Sequence, residues 1–273
     1  MNEYDTVQLT RKFEMEAKDL RFGTKEWAPF NFNFMNGCSN DCVYCYAKDM
    51  AIRFKRKTSE TWKIEEKVDL SGRSYSKKSG DIMVPSSHDI TSGNIDVAMG
   101  VLTKLIQNGN NLLLVTKPDF ECTKRIVDKF LPKRSHLKFR FTIGSADSSI
   151  LRLWEPGAPD FDERLRSLKY AFEKGYSTSI SCEPLLDEHF DALYEKVSPY
   201  VNGSIWIGKM NSAVKRVRDN TSGMFPMEKV EELVASQSDE KVMVLFEKYR
   251  NDPKIEWKES IKKVAMSKGY TFG

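Results

Sequence analysis

The chain has 273 residues, 43 basic against 39 acidic, and a formal charge of +4, a balance too mild to assert nucleic-acid binding although it permits it. No run approaches the roughly 20 apolar residues that span a membrane, and the start, Met1-Asn-Glu-Tyr-Asp-Thr6, lacks the basic and apolar regions of a secretory signal. Five cysteines, an odd number, argue against a disulfide framework, so the expectation is a soluble protein of a reducing cytoplasm with one large or two small domains.

In chain order, the first predicted strand is Pro29–Met35, followed at once by Gly37-Cys-Ser-Asn-Asp-Cys-Val-Tyr-Cys-Tyr46. Cys38, Cys42 and Cys45 are thus spaced C-x3-C-x2-C. Three thiolates on one short loop can hold three irons of a cubane [4Fe–4S] cluster and leave the fourth iron open to a small molecule. Structural zinc also takes thiolates, but it usually wants four closed ligands, and the remaining candidates, Cys122, Cys182, His88, His136 and His189, are isolated. The basic run Arg53-Phe-Lys-Arg-Lys57 reads either as a solvated helix face or as a phosphate-binding patch.

Beyond the loop, short apolar runs alternate with helical patterns, the signature of βαβ units and a parallel sheet. Further strands are predicted over Asp81–Pro85, Asn111–Thr116, Leu137–Ile143, Tyr176–Cys182 and Ser204–Gly208. Asn111–Thr116 and Ser204–Gly208 are near-continuous apolar runs of the kind buried on both faces. Leu165, Leu168 and Phe172, then Phe190, Leu193, Tyr194 and Val197, carry the helical period. Val242, Leu245, Phe246 and Tyr249 predict a charged C-terminal helix, broken at Asp252-Pro253 before a last helix over Trp257–Met266. The fold class read from this alternation is α/β: a partial (β/α)6 TIM-like barrel with a C-terminal helical extension. Its expected divisions are an N-terminal segment 1–28, the barrel 29–211 and the extension 212–273. In such sheets chemistry gathers at the carboxyl ends of the strands, where the cysteine loop falls.

With Tyr44 as the aromatic in C-x3-C-x-aromatic-C, the chain resembles the radical S-adenosylmethionine (radical SAM) superfamily, and within it the spore photoproduct lyase-like group. The resemblance runs from about Asn31 to Asn211 through Leu114-Val-Thr-Lys117, Phe141-Thr-Ile-Gly-Ser145, Trp154-Glu-Pro-Gly-Ala-Pro159 with Arg164, and Ser181-Cys-Glu-Pro184. It implies that Cys38, Cys42 and Cys45 bind the cluster, whose open iron chelates S-adenosylmethionine. Reductive cleavage then yields a 5′-deoxyadenosyl radical that abstracts hydrogen from a substrate. It implies as well an external one-electron reductant such as flavodoxin or ferredoxin.

For the remaining positions, the resemblance suggests Lys117 as partner of the methionine carboxylate and Glu155 as acceptor from the ribose or as a brace paired with Arg164. Thr142, Ser145, Ser181 and Glu183 are expected along the cofactor cleft, with Tyr44 and Tyr46 shielding the cluster. Photoproduct lyases carry a hydrogen-donating cysteine at the end of the second strand, in a Cys-Thr-Ser-Asp-like sequence, where this chain has Ser86-Ser87-His88-Asp89. An O–H bond is much stronger than an S–H bond, so Ser86 does not replace that donor. His88 is a candidate acid, base or substrate contact, and Cys182 a candidate replacement donor. No second cysteine group follows the barrel, which favours a nucleic-acid base or nucleotide over a peptide as substrate. The reading from a different class is a zinc-stabilised nucleic-acid-binding module without activity.

Overall fold

The computed structural model describes residues 23–272, so the N-terminal reading and most of the segment 1–28 lie outside the described residues. Among the described residues seven parallel strands form one open sheet: β1 (Phe30–Asn31), β4 (Ile82–Val84), β5 (Leu112–Thr116), β6 (Leu137–Thr142), β7 (Ser177–Cys182), β8 (Ile205–Ile207) and β9 (Ile255–Trp257), adjacent in that order. β2 (Met35–Asn36) and β3 (Glu66–Lys67) make a separate antiparallel pair. Because the main-sheet neighbours follow chain order, every crossover travels the same way, which curls the sheet like part of a barrel.

The helices are α1 (Tyr46–Arg53), α2 (Ile95–Gln107), α3 (Phe120–Phe130), α4 (Ser148–Trp154), α5 (Phe161–Glu173), α6 (Phe190–Val197), α7 (Ala213–Asn220), α8 (Met227–Ser236), α9 (Asp239–Tyr249) and α10 (Glu259–Ser267). Their starts carry local signals. Asp119 caps α3 by accepting from the Cys122 N–H, and Asp160 caps α5 by accepting from the Glu163 N–H. One continuous core joins the apolar stripes of these helices to the sheet, with Leu112, Leu114, Phe139, Phe141 and Ile180 buried in it.

A second, smaller apolar group lies apart from that core. Met83, Leu113 and Val115 alternate with the core residues along β4 and β5, and they pack with Ala28 and Trp27. The neighbouring strands become polar there. Arg140 on β6 sits 4.8 Å from the Trp27 ring and 5.1 Å from the Trp206 ring, with its Nε donating to Ser179 on β7. Among the described residues no helix is long and apolar enough to cross a membrane.

Two differences from the sequence reading concern strands. The first predicted strand is in fact β1 and β2 with a turn away from the main sheet between them. The C-terminal region also supplies a seventh strand, β9, hydrogen-bonded beside β8, whereas the sequence reading began the last helix at Trp257. Trp257, Ile261 and Val264 are spaced like a helical face, but the burial alternation of Ile255–Trp257 is that of a strand. Trp257 is buried against Phe246, ring centroids 5.2 Å apart. Replacing it with alanine is expected to cost about 3–5 kcal/mol in urea denaturation; a change near zero would show that β9 is peripheral to the fold.

Candidate functional site

The cysteine loop is clamped from two sides. On one, the Cys38 N–H donates to the Trp62 carbonyl at 2.9 Å, and Gly37 adopts φ +98°. A side chain at Gly37 would place its Cβ 2.3 Å from the Ile64 carbonyl oxygen, so only glycine fits. On the other, Val43 N–H donates to the Trp154 carbonyl and Gly157 N–H to the Asn40 carbonyl, each at 3.0 Å. A Cβ on Gly157 would lie 2.2 Å from the Ser39 carbonyl oxygen. The Trp154–Pro159 stretch is therefore the backrest of the loop.

Below the loop, Cys45 is the N-cap of α1, its sulfur accepting from the Lys48 N–H at 3.4 Å. Asn220 of α7 donates to the carbonyls of Val43 and Cys45, both at 2.9 Å. Glu65 accepts from the Ser39 backbone and hydroxyl at 3.0 Å, and from Thr91 and Asn94. All five cysteines are free, with Cys45 the most exposed of the three on the loop. Burial pushes the thiols of Cys38, Cys42 and Cys45 up from their ordinary pKa, so without a metal they rest protonated. A metal's positive charge supplies what the protein lacks to hold them as thiolates.

The three cysteines line a cleft of about 570 Å³ at the carboxyl ends of the strands. Tyr44, Tyr46, His88, Lys117, Thr142, Ser181 and Glu183 line it too. Ser145, Glu155, Arg164 and Cys182 do not. Ser145 is buried and accepts from the Asp147 N–H at 2.9 Å. Cys182 is the neighbour of Ser181 on β7 and turns the other way, into the main core, where burial raises its thiol.

Glu155, 1 % exposed, organises the wall from behind. It pairs with Arg164 at 2.5 Å and with Lys117 at 3.9 Å, and it accepts from the Tyr44 hydroxyl. Arg164 also donates to the Pro159 and Thr142 carbonyls at 2.8 and 3.2 Å, so one guanidinium joins α5, the backrest and the end of β6. Burial opposes ionisation of Glu155, but Arg164 and then Lys117 outweigh it and hold the carboxyl below its usual value. Burial likewise opposes the Lys117 charge, yet Cys42 and Tyr44, once deprotonated, and the Glu155 and Asp89 carboxylates raise the ammonium well above the ordinary lysine value.

His88 has both ring nitrogens engaged. Nε2 faces the N–H groups of Phe34 and Met35 at 3.1 and 3.2 Å, and Nδ1 lies 3.0 Å from the Asp89 carbonyl. Since Nε2 meets two donors it must accept, which leaves the proton on Nδ1. Burial lowers its pKa, in keeping with that neutral form. Glu183 pairs with Lys258 at 3.3 Å, while burial, the larger effect, raises its carboxyl. Ser86 shares hydrogen bonds with Asn33, and its carbonyl accepts from the Tyr46 hydroxyl.

Sequence reasoning missed Asp89, Asn40 and Glu65. The buried Asp89 carboxylate accepts from Thr116, from the Lys117 N–H at 3.0 Å and from Asn40 at 2.9 Å, tying the ends of β4 and β5 to the cysteine loop. An acid straight after Ser-Ser-His was a signal for it; nothing local marks Glu65, which folding alone brings to Ser39.

No family model matches the chain. An uncharacterized protein, MJ0683, of Methanocaldococcus jannaschii is 25% identical over 185 residues, which is 64% of this chain and 68% of that protein. Among solved structures, a spore photoproduct lyase variant with bound AdoMet and dinucleoside spore photoproduct superposes with a TM-score of 0.56 at 17% identity. It covers 88% of this chain and 79% of the lyase. Streptococcus suis SuiB bound to precursor peptide SuiA gives 0.53 at 13% identity, over 100% of this chain and 59% of SuiB. What the chain shares with these two solved structures is the fold.

Glu155→Gln leaves the Arg164 charge buried without its partner and is expected to cost about 3–5 kcal/mol. Adding Arg164→Met should recover much of that loss, and a double-mutant cycle by urea denaturation measures the coupling. Strictly additive losses would show that the pair does not act as a unit. For His88 the folded-state pKa lies below the ordinary 6.5, so its contribution to stability is full above that pH and drains away as pH falls beneath it. The Tm of the wild type should therefore drop more steeply from pH 7 to pH 5 than that of His88→Gln; parallel slopes would contradict the neutral, doubly bonded ring.

Proposed function

We propose that this chain is a radical SAM enzyme acting on a nucleic-acid base or nucleotide. The observation that carries the reading is that Cys38, Cys42 and Cys45 line the same cleft as Lys117. A cubane takes each thiolate on a different iron, and this three-thiol donor set fits it. The buried Ser181 hydroxyl, which lines the cleft with no hydrogen-bond partner, fits a site completed by a ligand.

When bound, a [4Fe–4S] cluster and S-adenosylmethionine supply reductive cleavage of the sulfonium and the 5′-deoxyadenosyl radical that takes hydrogen from the substrate. The protein's part is binding and orientation. Lys117, kept cationic by Glu155 at its back, offers its ammonium to the methionine carboxylate. Thr142 and Ser181 offer hydroxyls to the nucleoside. Tyr44 is held by Glu155 beside the cysteines, and Tyr46 covers the cleft from its anchor on the Ser86 carbonyl. Glu155, Arg164 and His88 are positioning residues, Ser145 serves the backbone, and Cys182 takes no part.

A dinucleoside occupies the lyase and a peptide occupies SuiB. The nucleotide reading is favoured here because no cysteine group follows the barrel to hold an auxiliary cluster. By the resemblance, Ser86 stands where the lyases carry their hydrogen-donating cysteine, which argues against their repair reaction here. The electron comes from an external carrier such as flavodoxin or ferredoxin, and the free thiols suit a reducing cytoplasm.

Anaerobic reconstitution should give a brown protein with about four irons per chain and, on reduction, release of 5′-deoxyadenosine and methionine from S-adenosylmethionine. Serine at Cys38, Cys42 or Cys45 should abolish both. One zinc per chain with no cleavage would overturn the proposal in favour of a zinc-stabilised nucleic-acid-binding module.

A further inference from the structure

Nine large apolar side chains stand exposed among the described residues, and six of them gather on or beside one helix pair. Tyr46, Met50 and Phe54 follow i, i+4, i+8 along α1 and its C-cap, so they share a face. Val214 is on α7, which packs against α1. Met224 follows α7 in a loop tied to the α1 side by Ser59 and Ser222, whose hydroxyls lie 2.7 Å apart. Ile64 belongs to the segment that clamps the cysteine loop. Scattered surface apolar residues need no explanation, but a cluster of them does.

The rim of this patch is cationic. Arg53 and Arg56 place their guanidinium groups 5.8 and 5.9 Å from the centre of the exposed Phe54 ring, and Lys55 and Lys63 are exposed nearby. Lys57 and Lys215 are paired with acids, whereas Arg53, Lys55, Arg56 and Lys63 make no ion pair among the described residues. The patch also adjoins the proposed cluster. Cys45, the most exposed of the three loop thiols, caps the very helix whose outer face carries Tyr46, Met50 and Phe54. Cys122 and Cys182 are single and buried elsewhere, so the described residues hold no second thiol group to relay an electron from another surface.

We propose that this face docks a small acidic one-electron carrier protein, an inference that rests on the radical SAM reading above. In each encounter the carrier loses one electron and the cluster gains one; no atom is transferred. A centre of Met50, Phe54, Ile64, Val214 and Met224 framed by arginine has the composition of a protein interface, in which aromatic, Met and Arg side chains are enriched. Nucleic acid asks instead for a more polar and more uniformly cationic surface, and aliphatic side chains do nothing for phosphates. A second copy of the chain would bring this cationic rim near its own image. Unpaired cations steer an acidic partner and speed the encounter.

The test uses reconstituted holoenzyme with purified flavodoxin and, separately, ferredoxin as probes. Two variants carry it, Met50→Glu with Phe54→Glu, and Arg53→Glu with Arg56→Glu, none of them in the cleft. At least one carrier should bind the wild type, more weakly as salt rises. Each variant should weaken that binding and slow carrier-driven bleaching of the cluster by about tenfold or more. Iron content and the rate of bleaching by dithionite should stay unchanged. Carbodiimide coupling should join the carrier's carboxylates to Lys55 or Lys63. The proposal is overturned if neither carrier binds, if both variants behave as wild type, or if the cross-links map to another face. It is also overturned if the substitutions abolish binding of a labelled oligonucleotide while leaving carrier binding intact. Absent iron, or no dithionite-driven cleavage in the wild type, strikes the enzyme reading itself and is read separately from the docking comparison.

Discussion

A carboxylate buried among two cations and a phenol governs the rest of this molecule. Glu155 keeps its charge beside Arg164, 2.5 Å away, and Arg164 is anchored in turn by its hydrogen bonds to the Pro159 and Thr142 carbonyls. Through these bonds a helix, a strand end and a loop are locked at one point. Through Tyr44 and Lys117 the same carboxylate reaches the cysteine loop and the end of β5. A charge taken out of water is tolerable only when its neighbours are held in place, so rigidity at Glu155 becomes rigidity in the cleft.

The cleft owes its position to the parallel sheet. Strands running one way bring all their carboxyl ends to one edge, and the chain must leave that edge in a loop after every strand. The cysteine loop, the Ser86–Asp89 turn, Lys117 and the Ser181–Pro184 stretch meet there although the first and last are far apart in sequence. Asp89 completes the join by accepting from both Asn40 and the Lys117 N–H. Hydrogen bonds to backbone and side-chain groups join these loops, because buried polar groups must find partners.

Much of the fold was legible because its signals are local. The near-continuous apolar run at Leu112–Thr116 became a strand buried along its whole length, and the i, i+3, i+4, i+7 stripe of Phe190, Leu193 and Val197 became the buried side of a helix. β9 escaped notice because three residues carry too little periodicity, and its Trp257 is spaced with Ile261 and Val264 like a helical face. Among the site residues, the cysteines announce themselves by spacing. Glu155 could be recognised only as one of two things, a ligand or a brace, until its distance to Arg164 was known. His88 looked reactive by residue type, whereas its two occupied nitrogens show a tie between loops.

By itself the sequence determined the alternation of β and α units up to β8 and the C-x3-C-x2-C loop that follows the first strand. These depend on residue type and short spacing, which the chain carries along its length. Only the tertiary structure decided which side chains face the cleft and which stand behind it. Ser181 and Cys182 are neighbours in sequence yet turn to opposite sides of the sheet. Glu65 is 26 residues from the loop it supports, and the apolar, cationic face of α1 and α7 is assembled from segments far apart in sequence. Facing, burial and long-range pairing arise from how the layers pack, and no local spacing encodes them.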